Sequence, residues 1–173
     1  MKSDSNITIK EVINSDELKK FVMFPHTLYK DSKYWVAPII KEELEVLNKE
    51  TNPVFNNAIA HYYLAYNDGK IVGRIAALIN WIEVKDLKKK KVRFGWFDFI
   101  DDQNVSKALL EKVIEIGKKN KLEFIEGPVG FSNMDKAGML IKGFEKKNTM
   151  ITMYNYSYYQ DHMKVHGYSK LAE

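Results

Sequence analysis

The 173-residue chain has no cysteine, few arginines and no long apolar run. The absence of cysteine excludes disulfides, thiolate metal ligands and a cysteine nucleophile. No apolar stretch approaches the roughly 18 residues that a membrane-spanning helix needs, and residues 1–6 lack the apolar centre of a secretory signal. We therefore expect a cytoplasmic protein without a membrane partner.

The scarcity of arginine bears on nucleic-acid binding. Lysine and arginine together number 27 against 23 aspartates and glutamates, but only Arg74 and Arg93 are arginines. Arginine is the better residue for bidentate phosphate and base contacts, so the net charge of +4 is a weak sign of a nucleic-acid partner. The lysine run at 88–91 is either a solvated hairpin loop or a phosphate contact, and the loop is favoured.

The composition is that of one folded domain over residues 1–173. Hydrophobic residues make up 45% of the chain and charged residues 29%, which argues against disorder. A single domain of this length buries about two-thirds of its unfolded surface. The aromatic share of 13% predicts a core or a ligand cleft rich in rings.

Strand-like and helix-like hydrophobic periods follow one another and predict a mixed α/β fold. Helix ends are indicated by the capping box of Asn14 and Glu17, by Pro38 near a helix start and by Gly167 after the last helix. The predicted strands cover residues 7–13, 61–66, 71–81, 94–100, 122–125 and 149–154, with another from residue 168. The predicted helices run from residue 15 to the turn at Tyr29, over 38–48, over 105–119 and over 157–166, while residues 132–143 form a loop with weak helical character.

Several stretches resemble the GNAT superfamily of acyl-CoA N-acyltransferases, over nearly the whole chain. The hairpin at 62–77 is similar to the central hairpin of that fold, residues 94–110 to its fourth strand and third helix, and residues 163–168 to the entry into its final strand. The resemblance implies an α/β fold with a mixed, mostly antiparallel central sheet flanked by helices.

A narrower resemblance links the chain to a poorly characterised bacterial group of GNAT-like proteins. Its members are often longer than one domain, so this chain is expected to be a single GNAT-like domain or the N-terminal part of a longer chain. The similar stretches are residues 24–36, 52–55, 127–133, 143–145 and 154–159.

The resemblance implies that acetyl-CoA or another acyl-CoA binds along the fourth strand and at the start of the next helix. In the family the pyrophosphate lies on amides of a glycine-rich loop, where free N–H groups and the helix dipole attract an anion. Here that loop has no glycine, and Asp101 and Asp102 place negative charge where a phosphate would bind. The residues carried over as cofactor-binding are Phe99, Ile100, Asn104, Val105, Ser106 and Lys107.

The resemblance also implies a base that removes the proton of an amine, and Asp98 is the candidate. Regular alternation would put Phe94, Trp96, Asp98 and Ile100 on one face of the strand. An Asp98 that is purely structural, bonded to loop amides, is the alternative.

The family's usual tyrosine acid falls on Met163, which cannot donate a proton. In the tyrosine-rich turn just before the last helix, Tyr158 is the candidate acid, and plain packing of the rings is the alternative.

For the acceptor we expect a small-molecule or peptide amine, contacted by Asn133, Tyr154 and Tyr159. Asn133 follows a predicted strand at the end where α/β folds bind ligands, although a loop-capping role is equally open. His162 and His166 could share one helix face as metal ligands, but no third ligand is indicated and no metal site is predicted.

Two functions from different classes remain open. The first is an N-acetyltransferase of the GNAT type that moves an acyl group from acyl-CoA to an amine. The second is a catalytically silent GNAT-like module that binds a ligand or a partner, as a homodimer or as half of a two-domain protein beside a second GNAT-like domain. The aspartate pair and Met163 favour the second.

Overall fold

The computed structural model describes residues 6–132 and 134–172. A five-stranded sheet in the order β1-β2-β3-β4-β5 forms its centre, with helices on both faces. The strands are β1 (Thr8–Glu11), β2 (Ala58–Asn67), β3 (Lys70–Asn80), β4 (Lys91–Phe99) and β5 (Phe124–Glu126). The helices are α1 (Ser15–Leu28), α2 (Ile40–Val46), α3 (Gln103–Lys119) and α4 (Tyr159–Val165), joined by a 3-10 helix at Pro53–Asn56 and a π-helix at Ile82–Asp86.

The sheet is antiparallel from β1 to β4, and β5 pairs with β4 in parallel. The β4–β5 register covers only three residue pairs, which end at Arg93 and Glu126. The amide of Val129 then donates to the carbonyl of Phe94 at 2.8 Å, beyond the last pair of the register. The predicted mixed, mostly antiparallel α/β sheet is confirmed.

The helix starts follow the predicted capping chemistry. The Asn14 side chain accepts the amide of Glu17 at 2.9 Å, while the Glu17 carboxylate accepts the amide of Ile13 at 2.8 Å. This reciprocal pair gives a partner to the Glu17 amide in the first turn of α1 and to the Ile13 amide just before the N-cap residue. The buried positions of α3 recur at helical spacing and include Val105, Leu109, Val113 and Ile116.

Two hydrophobic cores lie on opposite faces of the sheet. One packs the β4 rings Phe94, Phe97 and Phe99 against α3 and α4. The other packs β2 and β3 against α1 and α2. Because the sheet is covered on both faces, its central strands carry near-continuous apolar runs, with Ala76, Ala77 and neighbours fully buried.

A β-bulge in β4 overturns the predicted facing of its side chains. Asp98 pairs with Arg74 and Gly95 with Ala76, so two residues of β4 lie opposite the single residue between them on β3. Trp96 has a φ of 45° within the bulge, a conformation rare for a bulky residue. Phe94 therefore points to the α3 side while Asp98 points to the α1 side, and the expectation that both share one face is wrong.

The strand predicted at 149–154 is also wrong. Thr149 and Thr152 bond to each other within a turn, with the Thr149 amide donating to Thr152 Oγ1 at 3.0 Å, and Ile151 is 79% exposed. No strand is assigned between residue 168 and residue 172 either, where the Tyr168 amide bonds to Met163 O at 2.9 Å.

The lysine run behaves as predicted except at its last member. Lys88 to Lys90 lie in an exposed loop, but Lys91 begins β4 and is buried. Its ammonium lies 3.2 Å from Glu83 and is bonded to Glu126. No helix within 6–132 and 134–172 has both the length and the apolar character to cross a membrane.

Candidate functional site

A cleft of about 220 Å³ opens where β4 and β5 part. One wall is the bulged segment of β4 with Trp96 and Asp98, and the facing wall is the segment 128–130 that follows β5. Residues of α1, α2 and the loop 148–154 close it from the side. The pairing of β4 with β5 ends at Arg93 and Glu126, before the residues that line the cleft.

Two glycines allow close packing around the cleft. A Cβ atom on Gly95 would lie 2.6 Å from the carbonyl oxygen of Val129, so any other residue there would push the two walls apart. A Cβ atom on Gly130 would lie 2.5 Å from Asp135, so any other residue there would push the 128–130 segment away from Asp135.

The carboxylate of Asp98 lies on the cleft wall within a buried ion pair. Arg74 contacts Asp98 Oδ2 through both Nε and Nη2, each at 2.8 Å. A further guanidinium nitrogen donates to the carbonyl of Phe21 at 2.9 Å. The side chains of Arg74 and Asp98 are only 7% and 11% exposed, so the guanidinium compensates a carboxylate that burial alone would destabilise.

Tyr29 connects this pair to the far side of β4. Its hydroxyl donates to Asp98 Oδ1 at 2.8 Å and lies 2.9 Å from the hydroxyl of Tyr159. Burial, and then the nearby Asp98 carboxylate, raise the pKa of Tyr29 well above its usual range, so it remains a donor. Because a carboxylate oxygen can accept more than one hydrogen bond, Asp98 can still accept one from a ligand or a water in the cleft.

A second carboxylate, Glu43 of α2, lies on the cleft wall. Its Oε2 accepts the indole N–H of Trp96 at 2.8 Å. Its Oε1 lies 3.6 Å from the ammonium of Lys136. The Trp96 bond fixes the Glu43 carboxylate against the β4 bulge.

On the opposite face of the sheet, the main chain of Phe99 is already bonded within the protein. Its amide donates to the hydroxyl of Tyr159 at 3.1 Å, and its carbonyl accepts the hydroxyl of Tyr158 at 2.5 Å. Burial, and then the Asp101 carboxylate, raise the pKa of Tyr158, so its hydroxyl stays protonated. These bonds occupy the strand edge along which the family is expected to hold its acyl-CoA.

The start of α3 is likewise satisfied by its own residues. Asp102 accepts the amide of Asn104 on its side chain at 2.8 Å, and its carbonyl accepts the amides of Val105 and Ser106 at 3.0 and 3.2 Å. Just before it in the chain, Asp101 Oδ1 lies 3.0 Å from His162 Nε2. The amides of Asn104, Val105 and Ser106, which would bind a pyrophosphate, thus already have partners within the chain.

Two histidines of α4 and its C-terminal cap hold this end of α3. His162 Nδ1 and His166 Nε2 each lie 2.8 Å from Ser106 Oγ. Burial, followed by repulsion from His162, lowers the pKa of His166. No group of three residues suited to a metal ion occurs among the residues that the structure describes.

The residues predicted for the site divide between the two faces of β4. Asp98 and Tyr154 line the cleft, where the Tyr154 hydroxyl accepts Ser32 Oγ at 2.9 Å. Tyr159 reaches Asp98 only through Tyr29. Tyr158 lies on the α4 side with the predicted cofactor residues. Two of these residues have not been described above: the amide of Ile100 bonds to Val72 O at 3.0 Å, and Lys107 is exposed beside Glu111. Asn133 lies outside the described residues.

Three residues central to the cleft escaped the sequence prediction. Arg74 carried the clearest signal, because a lone arginine within an apolar strand needs a buried carboxylate. Tyr29 and Glu43 carried none, since their partners lie 69 and 53 positions away along the chain.

The chain is similar to two curated proteins, each more than twice as long as the part that is matched. It is 31% identical over 162 residues to Protein YghO of Escherichia coli (strain K12), covering 94% of this chain and 41% of that protein. It is 25% identical over 172 residues to the bacterial ceramide synthase of Caulobacter vibrioides (strain NA1000 / CB15N), covering 99% and 45%. The chain therefore spans less than half the length of these relatives. No family model matches it.

Among solved structures, a predicted acetyltransferase with acetyl-CoA from Clostridium acetobutylicum superposes with a TM-score of 0.60. The match covers 96% of this chain and 92% of that one at 11% identity. Likeness at such low identity concerns the fold, and with the sheet described above it establishes that this chain has the fold of the GNAT acetyltransferases.

Proposed function

We propose that the protein transfers an acyl group from acyl-CoA to the nitrogen of an amine that binds in the cleft. The observation that carries the proposal is the position of Asp98. Its carboxylate lines the cleft at the point where β4 leaves β5, on a GNAT fold.

In this proposal Asp98 receives, through a bound water, the proton that the amine loses as its C–N bond to the acyl group forms. The thioester C–S bond breaks in the same reaction, and CoA leaves as the thiol after its sulfur takes up a proton from solvent. Arg74 contacts one oxygen of the Asp98 carboxylate, and the Tyr29 hydroxyl fixes the other. A base must be within hydrogen-bond reach of the proton that it takes, directly or through one water. Tyr154 and the rest of the aromatic wall orient the amine.

The name of one relative is consistent with an amine acceptor. A ceramide is an N-acylated long-chain amino alcohol, so the enzyme named for its synthesis forms an amide. The solved neighbour with acetyl-CoA supplies the corresponding donor for the fold. We propose acetyl as the acyl group, an amine as the acceptor and the cytoplasm as the compartment.

A second candidate is favoured by the groove on the other face. There Tyr158 and Tyr159 bond the main chain of Phe99, and Asp102 caps α3. If these contacts persist in solution, the chain is a silent GNAT-like module that binds a ligand in its cleft. Since its relatives are more than twice as long, such a module would serve as one half of a two-domain protein.

The test measures thiol release from acetyl-, octanoyl- and palmitoyl-CoA by the purified protein with a panel of primary amines. Asp98→Asn is expected to reduce kcat at least a hundredfold, because general-base catalysis contributes roughly that factor or more. The matched control is Asp86→Asn, which alters an exposed carboxylate at the end of the π-helix before β4. Circular dichroism sets a temperature at which every variant is folded.

The two candidates give opposite results. Turnover that depends on Asp98 supports the acyltransferase. Acyl-CoA binding without turnover, or no binding at all by isothermal titration calorimetry, refutes it and leaves the silent module.

A further inference from the structure

We propose that Glu43 is the anchor for the positively charged nitrogen of the ligand, and that Lys136 occupies this place when the cleft is empty. The acceptor class that follows is an alkylammonium, a primary amine carried on an apolar chain. The inference rests on the proposed function only in calling this ligand the acyl acceptor.

The ion pair between Glu43 and Lys136 is loose. Its nitrogen–oxygen distance of 3.6 Å is beyond ordinary hydrogen-bond length, whereas the bond from Trp96 to the other oxygen of Glu43 is 2.8 Å. The Lys136 side chain is 36% exposed and that of Glu43 is 15% exposed. A fixed carboxylate thus faces a flexible ammonium, which a ligand ammonium can replace at little cost.

The charges around the cleft single out Glu43. Its three carboxylates are Glu43, Asp98 and Asp135, against the cations Arg74 and Lys136, which leaves one negative charge in excess. Asp98 is held by Arg74 at 2.8 Å, and Asp135 accepts the amide of Ser132 at 2.7 Å. Glu43 is the cleft carboxylate whose cationic partner can leave without exposing a buried charge.

The walls next to Glu43 suit an organic cation on an apolar chain. The rings of Trp35 and Trp96 line the same cleft, and aromatic faces attract alkylammonium groups. Toward the mouth, Val46 and Met150 line the cleft while 38% and 48% exposed. A hydrocarbon chain leaving the ammonium would cover these apolar surfaces.

Isothermal titration with n-octylammonium chloride tests the assignment directly. Glu43→Gln is expected to weaken binding about tenfold to a hundredfold, the value of a hydrogen bond to a charged group. Glutamine can still accept the Trp96 N–H, so the local fold is retained. Lys136→Met is expected to tighten binding about twofold to fivefold, because it removes a competitor held by a partly exposed ion pair.

Matched controls come from exposed neighbours of the same charge. Glu42→Gln lies one position away on α2, and Lys142→Met lies in the same loop region as Lys136. Both are expected to bind the probe as the natural protein does. n-Octanol, which has the same chain without the charge, is expected to bind much more weakly.

The two single variants must move affinity in opposite directions. Unchanged binding in Glu43→Gln, weaker binding in Lys136→Met, or no binding of the probe by the natural protein overturns the inference. The expected pattern of binding without thiol release from any acyl-CoA overturns the proposed acyl transfer and leaves the recognition site standing. Acyl transfer by Glu43→Gln with an unchanged KM for the amine overturns the assignment of Glu43 and leaves the proposed acyl transfer standing.

Discussion

The buried ion pair of Arg74 and Asp98 makes a quantitative prediction about stability. Asp98→Asn removes the negative charge and turns an amide NH₂ group or an uncharged oxygen toward the guanidinium. Arg74 would then keep its bond to the Phe21 carbonyl but would have no counter-charge within hydrogen-bond distance. Its side chain is only 7% exposed, so cleft water can replace the lost carboxylate only in part.

Leaving one partner of such a pair buried and uncompensated costs about 3–5 kcal/mol of unfolding free energy. For a domain of this size, each kcal/mol lowers the melting temperature by roughly 2–4 °C, so we expect a drop of about 6–20 °C. The double variant Arg74→Met/Asp98→Asn buries no charge and keeps an oxygen for Tyr29. We expect it to lose only about 1–2 kcal/mol, the value of the missing hydrogen bonds.

Urea denaturation followed by tryptophan fluorescence measures both values, and Asp101→Asn serves as the exposed control, with an expected change below about 1 kcal/mol. The double variant must be more stable than Asp98→Asn. A single variant within 1 kcal/mol of the natural protein, or a double variant less stable than the single, would refute the reasoning from burial.

Three further predictions concern the α3 side of the sheet. Tyr158→Phe removes the hydrogen bond to the carbonyl of Phe99 and leaves that carbonyl free. We expect affinity for CoA to rise about twofold to tenfold in titration calorimetry, the value of one such bond. A fall in kcat with unchanged affinity would instead mark Tyr158 as the acid. Asp102→Ala removes the cap of α3 and is expected to cost about 0.5–2 kcal/mol in urea denaturation, more than Asp101→Ala; equal losses would contradict the capping role. The pKa of His166 is lowered below its usual 6.5 in the folded protein, so the unfolded state binds the proton more readily. The stability that depends on neutral His166 is therefore present above pH 6.5, and it is lost as the pH falls through the lower folded pKa. Denaturation at several pH values should show a shallower decline in His166→Asn, and an identical decline would exclude this contribution.

Local chemistry explains why much of the fold could be predicted from the sequence. The Asn14 and Glu17 capping box, the turn with Asp68 and Gly69 at positive φ, and the helical spacing in α3 each depend on residues a few positions apart. The segment at 149–154 was mispredicted because its β-branched and aromatic residues favour a strand, while no neighbouring strand is paired with it. Strand propensity expresses packing against neighbours more than a backbone preference.

The candidate site was harder to predict because its geometry depends on distant contacts. Asp98 was identified as the carboxylate of interest, but its partners Arg74 and Tyr29 come from other elements, and the bulge that sets its direction leaves no mark in the hydrophobic pattern. An Asp before a helix caps its first amides, and Asp102 does so at the start of α3. The hydrogen bonds of Tyr158 and Tyr159 with the main chain of Phe99 could be found only in the tertiary structure.

The bulge at Trp96 makes residue count a determinant of chemistry. Side chains of a strand alternate between faces, so inserting or removing one residue exchanges the faces of everything that follows. The bulge takes up the extra residue that β4 has between Gly95 and Asp98, so Asp98 stays on the cleft wall while Phe97 and Phe99 stay in the core beneath α3. If the same residues paired regularly with β3, Phe97 and Phe99 would turn toward the cleft and Asp98 would enter that apolar core. Straightening this one bulge would thus convert a polar cleft wall into an apolar one while every side chain kept its identity.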